Sequence, residues 1–157
     1  MQQRLAQIAA ALLPRATGQQ VRAENLHCTL VFAGAVEAAQ RLCLEDTASL
    51  VRAEPFDLTL DRLGYFHRPQ AAWLGCTTTP AALQALVTGL RFGAEHCGLT
   101  PEQRPYEVHL TVARKLRRDP GRLPFLPVVW PVKQFALMES VSGPDGVHYQ
   151  PLRFWEL

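Results

Sequence analysis

The amino-acid sequence predicts an α+β fold in which antiparallel sheets pack against helices. Amphipathic helical segments are interspersed with strand-like segments, in the order helix, motif strand, helix, hairpin, helix, motif strand and further strands. The layout also repeats loosely, because a strand carrying the same short motif follows a helix in each half of the chain. We therefore expect two pseudo-symmetric lobes around a central cleft within a single domain over residues 1–157, each lobe an antiparallel sheet with flanking helices.

Composition limits the class of protein. Of the 157 residues, 48% are hydrophobic and 19% are charged, which is ordinary for a globular chain that buries a core. The formal net charge of +2 is too small to indicate a general nucleic-acid binder. Because no apolar stretch approaches the length of a membrane-spanning helix, we expect no membrane contact. No feature indicates an obligate protein partner, so we expect a monomer.

The cysteines indicate a compartment. Their spacing forms neither a CxxC pair nor a zinc-binding pattern, so we expect no metal and no cofactor held by them. One falls on the buried side of a strand and two fall on apolar helical stripes, which favours small buried hydrophobic roles. We therefore expect unpaired thiols in a reducing cytoplasm. The residues concerned are Cys28, Cys43, Cys76 and Cys97.

The first part of the chain contains two helices and one motif strand. Apolar residues at helical spacing predict a helix over residues 2–13 that stops at Pro14. After a polar loop, an apolar run predicts a strand over residues 25–33, which Gly34 ends. A second helix is expected over residues 36–51.

The middle of the chain predicts a hairpin and a third helix. Strict alternation of apolar and polar residues predicts a half-buried strand over residues 56–61. Residues 64–69 indicate a turn bearing two aromatic side chains, and residues 71–76 form the returning strand. A helix follows, with Thr79 as its N-cap and Pro80 at its first helical position.

The last part of the chain is mostly strand. Gly98 ends the third helix. The remaining segments are, in order, a second motif strand over residues 106–114, a basic proline-bearing loop over 115–127, a long strand over 128–141, a turn over 143–146 and a final strand over 147–155.

A His-x-Thr-apolar string occurs twice, beginning at His27 and at His109. Since a strand points alternate side chains to opposite faces, His27 shares a face with Thr29, and His109 shares a face with Thr111. Two such strands offer two imidazoles and two hydroxyls, which suits an in-line displacement at phosphorus. The alternative is a structural role, in which each strand histidine only bonds its neighbouring threonine.

Residues near the motifs are candidates for substrate binding. Arg114 follows the second motif and offers a fixed positive charge, and Lys115 opens a basic stretch that also includes Arg117, Arg118 and Arg122. A solvated loop is the alternative for that stretch. Tyr65 and Phe66 are candidates for stacking on a nucleobase, the alternative being packing within a lobe.

Residues 25–30 and 109–114 resemble the two signatures of the 2H phosphoesterases. Residues 58–75, with the strings Leu-Gly-Tyr-Phe and Trp-Leu-Gly, and residues 149–157 are similar to the bacterial and archaeal RNA 2′,3′-cyclic phosphodiesterases, the 2′-5′ RNA ligase-like family. The resemblance implies that His27 is the proton donor and His109 the proton acceptor, with Thr29 and Thr111 binding the phosphate. It implies metal-independent hydrolysis of the 2′,3′-cyclic phosphate of RNA ends or nucleotides to a 2′-phosphate.

The chain departs from the family pattern at its N-terminal end. Family members usually begin with a short apolar strand before the first helix, whereas Met1 here lies at the helix start. We therefore expect an exposed sheet edge.

Three alternatives stay open at this point. The chain could be a catalytically idle RNA-end binder, the same site could act on another cyclic phosphate, or it could run in reverse as a 2′-5′ RNA ligase. The residues alone do not assign acid and base either, because the two motifs are near mirror images.

Overall fold

The computed structural model describes residues 1–13, 18–121, 123–144 and 146–157. The chain divides into two compact units. The first unit comprises Met1–Cys28, Leu58–Thr78 and Glu107–Trp130, and the second comprises Thr29–Asp57, Thr79–Tyr106 and Pro131–Leu157. The predicted α+β class is confirmed, since helices accompany sheets whose described registers are all antiparallel. The single domain and the central cleft stay predictions.

The elements follow one another in an order close to the predicted one. They are α1 (Gln2–Leu12), β1 (Gln19–Gln20), a 3₁₀ turn (Ala23–Asn25), α2 (Ala38–Leu50), β2 (Phe56–Leu60), β3 (Arg62–Phe66), β4 (Ala71–Gly75), α3 (Ala81–His96), β5 (Leu110–Arg114), β6 (Val128–Val132), β7 (Gln134–Gly143) and β8 (Gly146–Glu156). Strand β2 pairs with β6. None of the described helices is both long and apolar enough to span a membrane.

The first unit is built on a four-stranded sheet with the order β1-β5-β4-β3. All residues of β4 are buried, which is the pattern of a central strand covered on both faces. Helix α1 contacts β5 and buries Leu5 and Ala9, while Leu110 and Val112 of β5 are fully buried. This packing fixes β5, the strand that begins directly after His109.

The second unit is organised around the antiparallel pair α2 and α3. A Cβ at Gly93 would lie 2.9 Å from the Cβ of Thr47, and one at Gly89 would lie 3.1 Å from Cγ1 of Val51. A glycine within a helix lowers helix stability by about 1 kcal/mol relative to alanine. At these two positions glycine is needed because a Cβ would prevent the close approach of the helices. One turn further along this seam, Cys43 and Cys97 come together.

Cys43 and Cys97 form a disulfide, with Cα atoms 5.7 Å apart. The expectation that both are unpaired thiols is therefore wrong. The two residues lie 54 positions apart in sequence and on different helices, so their spacing along the chain carries no sign of the pairing. Neither Cys28 nor Cys76 takes part in a disulfide, as expected.

The hairpin expected between residues 56–61 and 71–76 is wrong in its first strand. Strand β3 is the partner of β4, with Gly64 opposite Trp73, so residues 64–66 lie in a strand rather than in a turn. The chain bends at Asp61, whose carboxylate accepts hydrogen bonds from the backbone N–H of Thr77 at 2.7 Å and from its hydroxyl at 3.1 Å. This bend separates β2 from β3.

Other boundaries also differ from the predictions. The expected strand over residues 25–33 is a 3₁₀ turn followed by extended chain with one isolated bridge at Cys28, because the N–H groups of Asn25 and Leu26 bond back to preceding carbonyls. The second motif strand begins at Leu110, and Pro80 rather than Thr79 precedes α3. The strand expected over residues 128–141 is two strands, β6 and β7. The predictions for Pro14, Arg122 and Asp145 lie outside the described residues.

Candidate active site

The two motif histidines are placed by neighbouring segments of the first unit. Cys28 forms an antiparallel bridge with Leu110, so the ladder sets His27 beside Thr111. Alternation along the strand turns His27, Thr111 and His109 away from Leu110, which is fully buried. Both imidazoles are half-buried and so retain access to solvent. One face of the sheet therefore carries both rings and the hydroxyl of Thr111.

Each imidazole is held by the same backbone contact. Nδ1 of His27 lies 2.7 Å from the carbonyl oxygen of Asn25, and Nδ1 of His109 lies 2.9 Å from that of Glu107. A carbonyl oxygen only accepts hydrogen bonds, so Nδ1 is the donor in both contacts. The acid–base chemistry of each ring therefore resides at Nε2. The carbonyls lie two residues before each histidine, a relation that the motif itself does not reveal.

An indole forms part of the same face. Trp73 stands opposite Thr111 on one side and opposite Gly64 on the other. A Cβ at Gly64 would overlap Cζ2 of Trp73, and a Cβ at Gly75 would lie 2.6 Å from Cζ3. The two glycines thus let the indole lie against the backbone. The sequence signal for this arrangement is the spacing Gly-x₈-Trp-x-Gly across a hairpin, which the predicted site does not include.

Phe66 contacts the site, whereas the hydroxyl of Tyr65 is used elsewhere. The ring centroid of Phe66 lies 5.7 Å from that of His109 in an edge arrangement and 5.3 Å from that of Trp73, and Phe66 is 37% exposed. The hydroxyl of Tyr65 donates a 2.6 Å hydrogen bond to the carbonyl of Leu116. Phe66 is therefore the better placed of the two for stacking on a base, and both assignments stay predictions.

Tyr65→Phe is expected to lower the free energy of unfolding by about 1 kcal/mol, the net value of one hydrogen bond. The bond steadies Leu116 directly after Lys115, whose φ of 57° is uncommon for a side chain with a Cβ. Urea denaturation measures the change. Ser142→Ala, which removes an exposed hydroxyl from β7, is the comparison variant and is expected to leave the unfolding free energy unchanged. A Tyr65→Phe variant as stable as the unmodified chain contradicts this structural role.

The remaining predicted site residues are Thr29, Arg114 and Lys115. Thr29 is half-buried and begins the second unit, and its carbonyl accepts a 3.3 Å hydrogen bond from the hydroxyl of Tyr106. Arg114 is exposed at the last position of β5, where it pairs in register with Gln19, and Lys115 is exposed beside it. Their contributions to substrate binding stay predictions.

Cys28 follows His27 directly, and burial decides what its thiol can do. Burial, with a smaller contribution from Cys76, raises the pKa of the Cys28 thiol to about 12. Cys28 is therefore a protonated thiol at neutral pH and is unsuited to nucleophilic attack. Among residues 1–13, 18–121, 123–144 and 146–157, no group of three or more histidine, cysteine, aspartate or glutamate residues is arranged to hold a metal ion.

Comparison with known proteins places these features in a family context. A family model described as the 2′-5′ RNA ligase superfamily matches residues 2–144. The chain is 33% identical over 153 residues to the RNA 2′,3′-cyclic phosphodiesterase of Escherichia coli K12, covering 94% of this chain and 85% of that protein. It is 32% identical over 151 residues to the protein of the same name from Thermotoga maritima, covering 84% of this chain and 75% of that protein.

Solved structures show the same likeness. The crystal structure of E. coli LigT complexed with 3′-AMP matches with a TM-score of 0.88 and 31% identity, over 99% of this chain and 90% of that chain. The crystal structure of a Thermus thermophilus protein, TT0787, matches with a TM-score of 0.83 and 25% identity, over 99% of this chain and 91% of that chain.

Proposed function

The chain belongs to the 2′-5′ RNA ligase superfamily, and on that premise we propose that His27 and His109 open RNA 2′,3′-cyclic phosphates by paired acid–base catalysis. The chain is an RNA 2′,3′-cyclic phosphodiesterase, like the relatives that it matches over most of its length. The observation that supports the proposed mechanism is the shared arrangement of the imidazoles, which lie on one face with Nδ1 of each donating to a carbonyl.

The proposed step uses one neutral and one protonated ring. Water attacks phosphorus while Nε2 of neutral His109 takes its proton. The bond between phosphorus and O3′ breaks, and Nε2–H of protonated His27 donates its proton to the departing O3′. The products are a 2′-phosphate and a free 3′-hydroxyl, and the two rings exchange protons with solvent to complete the cycle. General acid–base catalysis of this kind contributes about 10²–10⁴-fold.

The charge that develops on phosphorus needs hydrogen-bond donors. In this proposal the hydroxyl of Thr111 donates to a non-bridging oxygen of the phosphate, which its position beside His27 on the ladder supports. Thr29 has the same phosphate-binding role in this proposal, as the resemblance of its motif implies. Arg114 and Lys115 supply positive charge at the end of β5, and Phe66 stacks on the terminal base. These assignments make RNA ends and cyclic nucleotides the ligands of the site.

A cytoplasmic location remains part of the proposal, because an enzyme that acts on RNA ends needs access to cellular RNA. The disulfide between Cys43 and Cys97 removes the argument from reduced thiols. The location therefore rests on the activity alone, and the monomeric state stays a prediction.

The test is incubation with an oligoribonucleotide that ends in a 2′,3′-cyclic phosphate, in buffer with EDTA and no added metal. We expect complete conversion to the 2′-phosphate, identified by chromatography against both phosphate isomers. Formation of the 3′-phosphate would reverse the assignment of the leaving oxygen. No conversion with EDTA, and conversion on addition of a metal, would overturn metal-independent catalysis.

The same reaction separates the alternatives. An oligonucleotide with a free 5′-hydroxyl, added at high concentration, reveals ligation as a longer product joined 2′–5′. A chain that binds the cyclic end but leaves it intact would be an idle RNA-end binder, which the retention of both imidazoles and both motif hydroxyls argues against.

A further inference from the structure

Arg62 lies at the end of β3 opposite to Phe66 and takes no part in the mechanism above. Its guanidinium carbon lies 5.1 Å from the centroid of the Trp73 ring, over the indole. Arg62 is exposed, and within the described residues it makes no ion pair. A solvent-exposed arginine is thus held on an aromatic platform with its charge unpaired.

A cation–π contact with the indole does not use the hydrogen-bond donors of the guanidinium. Cation–π contact engages the flat face of the guanidinium, whereas its N–H groups lie in the plane and point outward. The contact lowers the entropy lost when an anion binds, because the side chain is already held in one place. A planar fork of donors held in this way matches the oxygens of a phosphate.

The platform is costly as a purely structural device. Trp73 is 7% exposed, and its Nε1–H has no hydrogen-bond partner within the described residues. A buried donor without an acceptor is destabilising, and phenylalanine would avoid that cost at this position. Tryptophan is the best aromatic partner for a cation, so supporting Arg62 gives the indole a role that packing does not.

The platform is continuous with the candidate active site. Trp73 contacts Phe66, and Phe66 in turn contacts His109, so one row of side chains runs from the imidazole to the guanidinium. A strand rises about 3.3 Å per residue, so Arg62 and Phe66 lie about 13 Å apart along β3. That separation suits the phosphate on the 5′ side of the terminal nucleoside rather than the cyclic phosphate at the histidines.

We propose that Arg62, held on Trp73, binds the phosphate on the 5′ side of the terminal nucleoside, so that the enzyme prefers an RNA end to a nucleoside 2′,3′-cyclic phosphate. The inference rests on the proposed function of the site. The ligand chemistry is a phosphate, which either the phosphodiester of a longer strand or a 5′-monophosphate supplies.

The test compares three substrates: adenosine 2′,3′-cyclic phosphate, its 5′-phosphorylated form, and a diadenosine ending in the same cyclic phosphate. We expect the ratio of kcat/KM for the dinucleotide to that for the unphosphorylated mononucleotide to fall about tenfold in Arg62→Gln, the loss of one hydrogen bond to a charged group. Arg4→Gln, an equal charge change at an exposed position of helix α1, is expected to keep the ratio of the unmodified chain.

The intermediate substrate identifies the source of the phosphate. A gain already present with the 5′-monophosphate and lost in Arg62→Gln shows that one phosphate suffices, and a gain confined to the dinucleotide shows that a diester is required. Either supports the inference. An unmodified chain with no preference, or an Arg62→Gln variant with the ratio of the unmodified chain, overturns it.

A binding measurement keeps this inference separate from the proposed function. The Kd of the dinucleotide 2′-phosphate is measured as a function of salt, which requires no turnover. Arg62→Gln is expected to reduce the slope of log Kd against log salt by about 0.7, the value for one phosphate contact on a single strand. An unmodified chain that hydrolyses none of the three substrates overturns the proposed function, while an unchanged slope overturns the role of Arg62.

Discussion

Replacing either His27 or His109 by alanine is expected to lower kcat by about 10²–10⁴-fold, the contribution of a positioned acid or base. The double variant is expected to lose little more than the single ones, because the two rings act in one concerted proton transfer. Single-turnover hydrolysis of a cyclic-phosphate RNA end measures the effect. His96→Ala, on the exposed last turn of α3, is the matched control and is expected to retain the full rate.

Two further readouts separate chemistry from folding in these variants. The Kd for the 2′-phosphate product is expected to change far less than kcat, because the variants keep the phosphate donors. The unmodified enzyme is expected to show a bell-shaped dependence of kcat/KM on pH, since one ring must be protonated and the other must not, and each single variant is expected to lose one limb. Full activity in either alanine variant contradicts the paired mechanism.

The double substitution Cys43→Ser with Cys97→Ser is expected to lower the free energy of unfolding by about 4 kcal/mol. The disulfide joins residues 54 positions apart, and restricting a loop of that length in the unfolded chain stabilises the folded state by about this amount. Guanidinium denaturation in the absence of reductant measures the difference.

The control uses the same transition in the presence of reductant. There the unmodified chain is expected to unfold at the same midpoint as the double variant, while Cys76→Ser without reductant retains the stabilising bond. A midpoint of the unmodified chain that does not respond to reductant contradicts the pairing of Cys43 with Cys97.

The fold class and the motif histidines are predictable because both depend on local patterns. A few consecutive residues are enough to recognise the alternation of side chains in β5 and the two His-x-Thr strings. His109 and Thr111 can therefore be assigned to one face from the sequence. The register that sets His27 beside Thr111 requires a long-range pairing, which the bridge between Cys28 and Leu110 supplies.

The failures arise where a partner elsewhere in the chain decides the outcome. Residues 64–66 contain a glycine and two aromatics and resemble a turn, but pairing with β4 and the need for Gly64 beneath the indole make them a strand. Cys43 and Cys97 meet across a pair of helices that glycines on α3 allow to approach closely. Neither partner lies within the window that local patterning reads.

Each Nδ1 donates to a carbonyl two residues earlier, so the main chain holds the two imidazoles in the same way. The main chain therefore does not distinguish the acid from the base, and in the proposed step the position of the departing O3′ makes His27 the donor. In the reverse reaction, from product back to the cyclic ester, the same two imidazoles act with the acid and base roles exchanged. Whether the enzyme cuts or joins is then decided by the nucleophile that enters, water or a ribose hydroxyl, and not by any rearrangement of the protein.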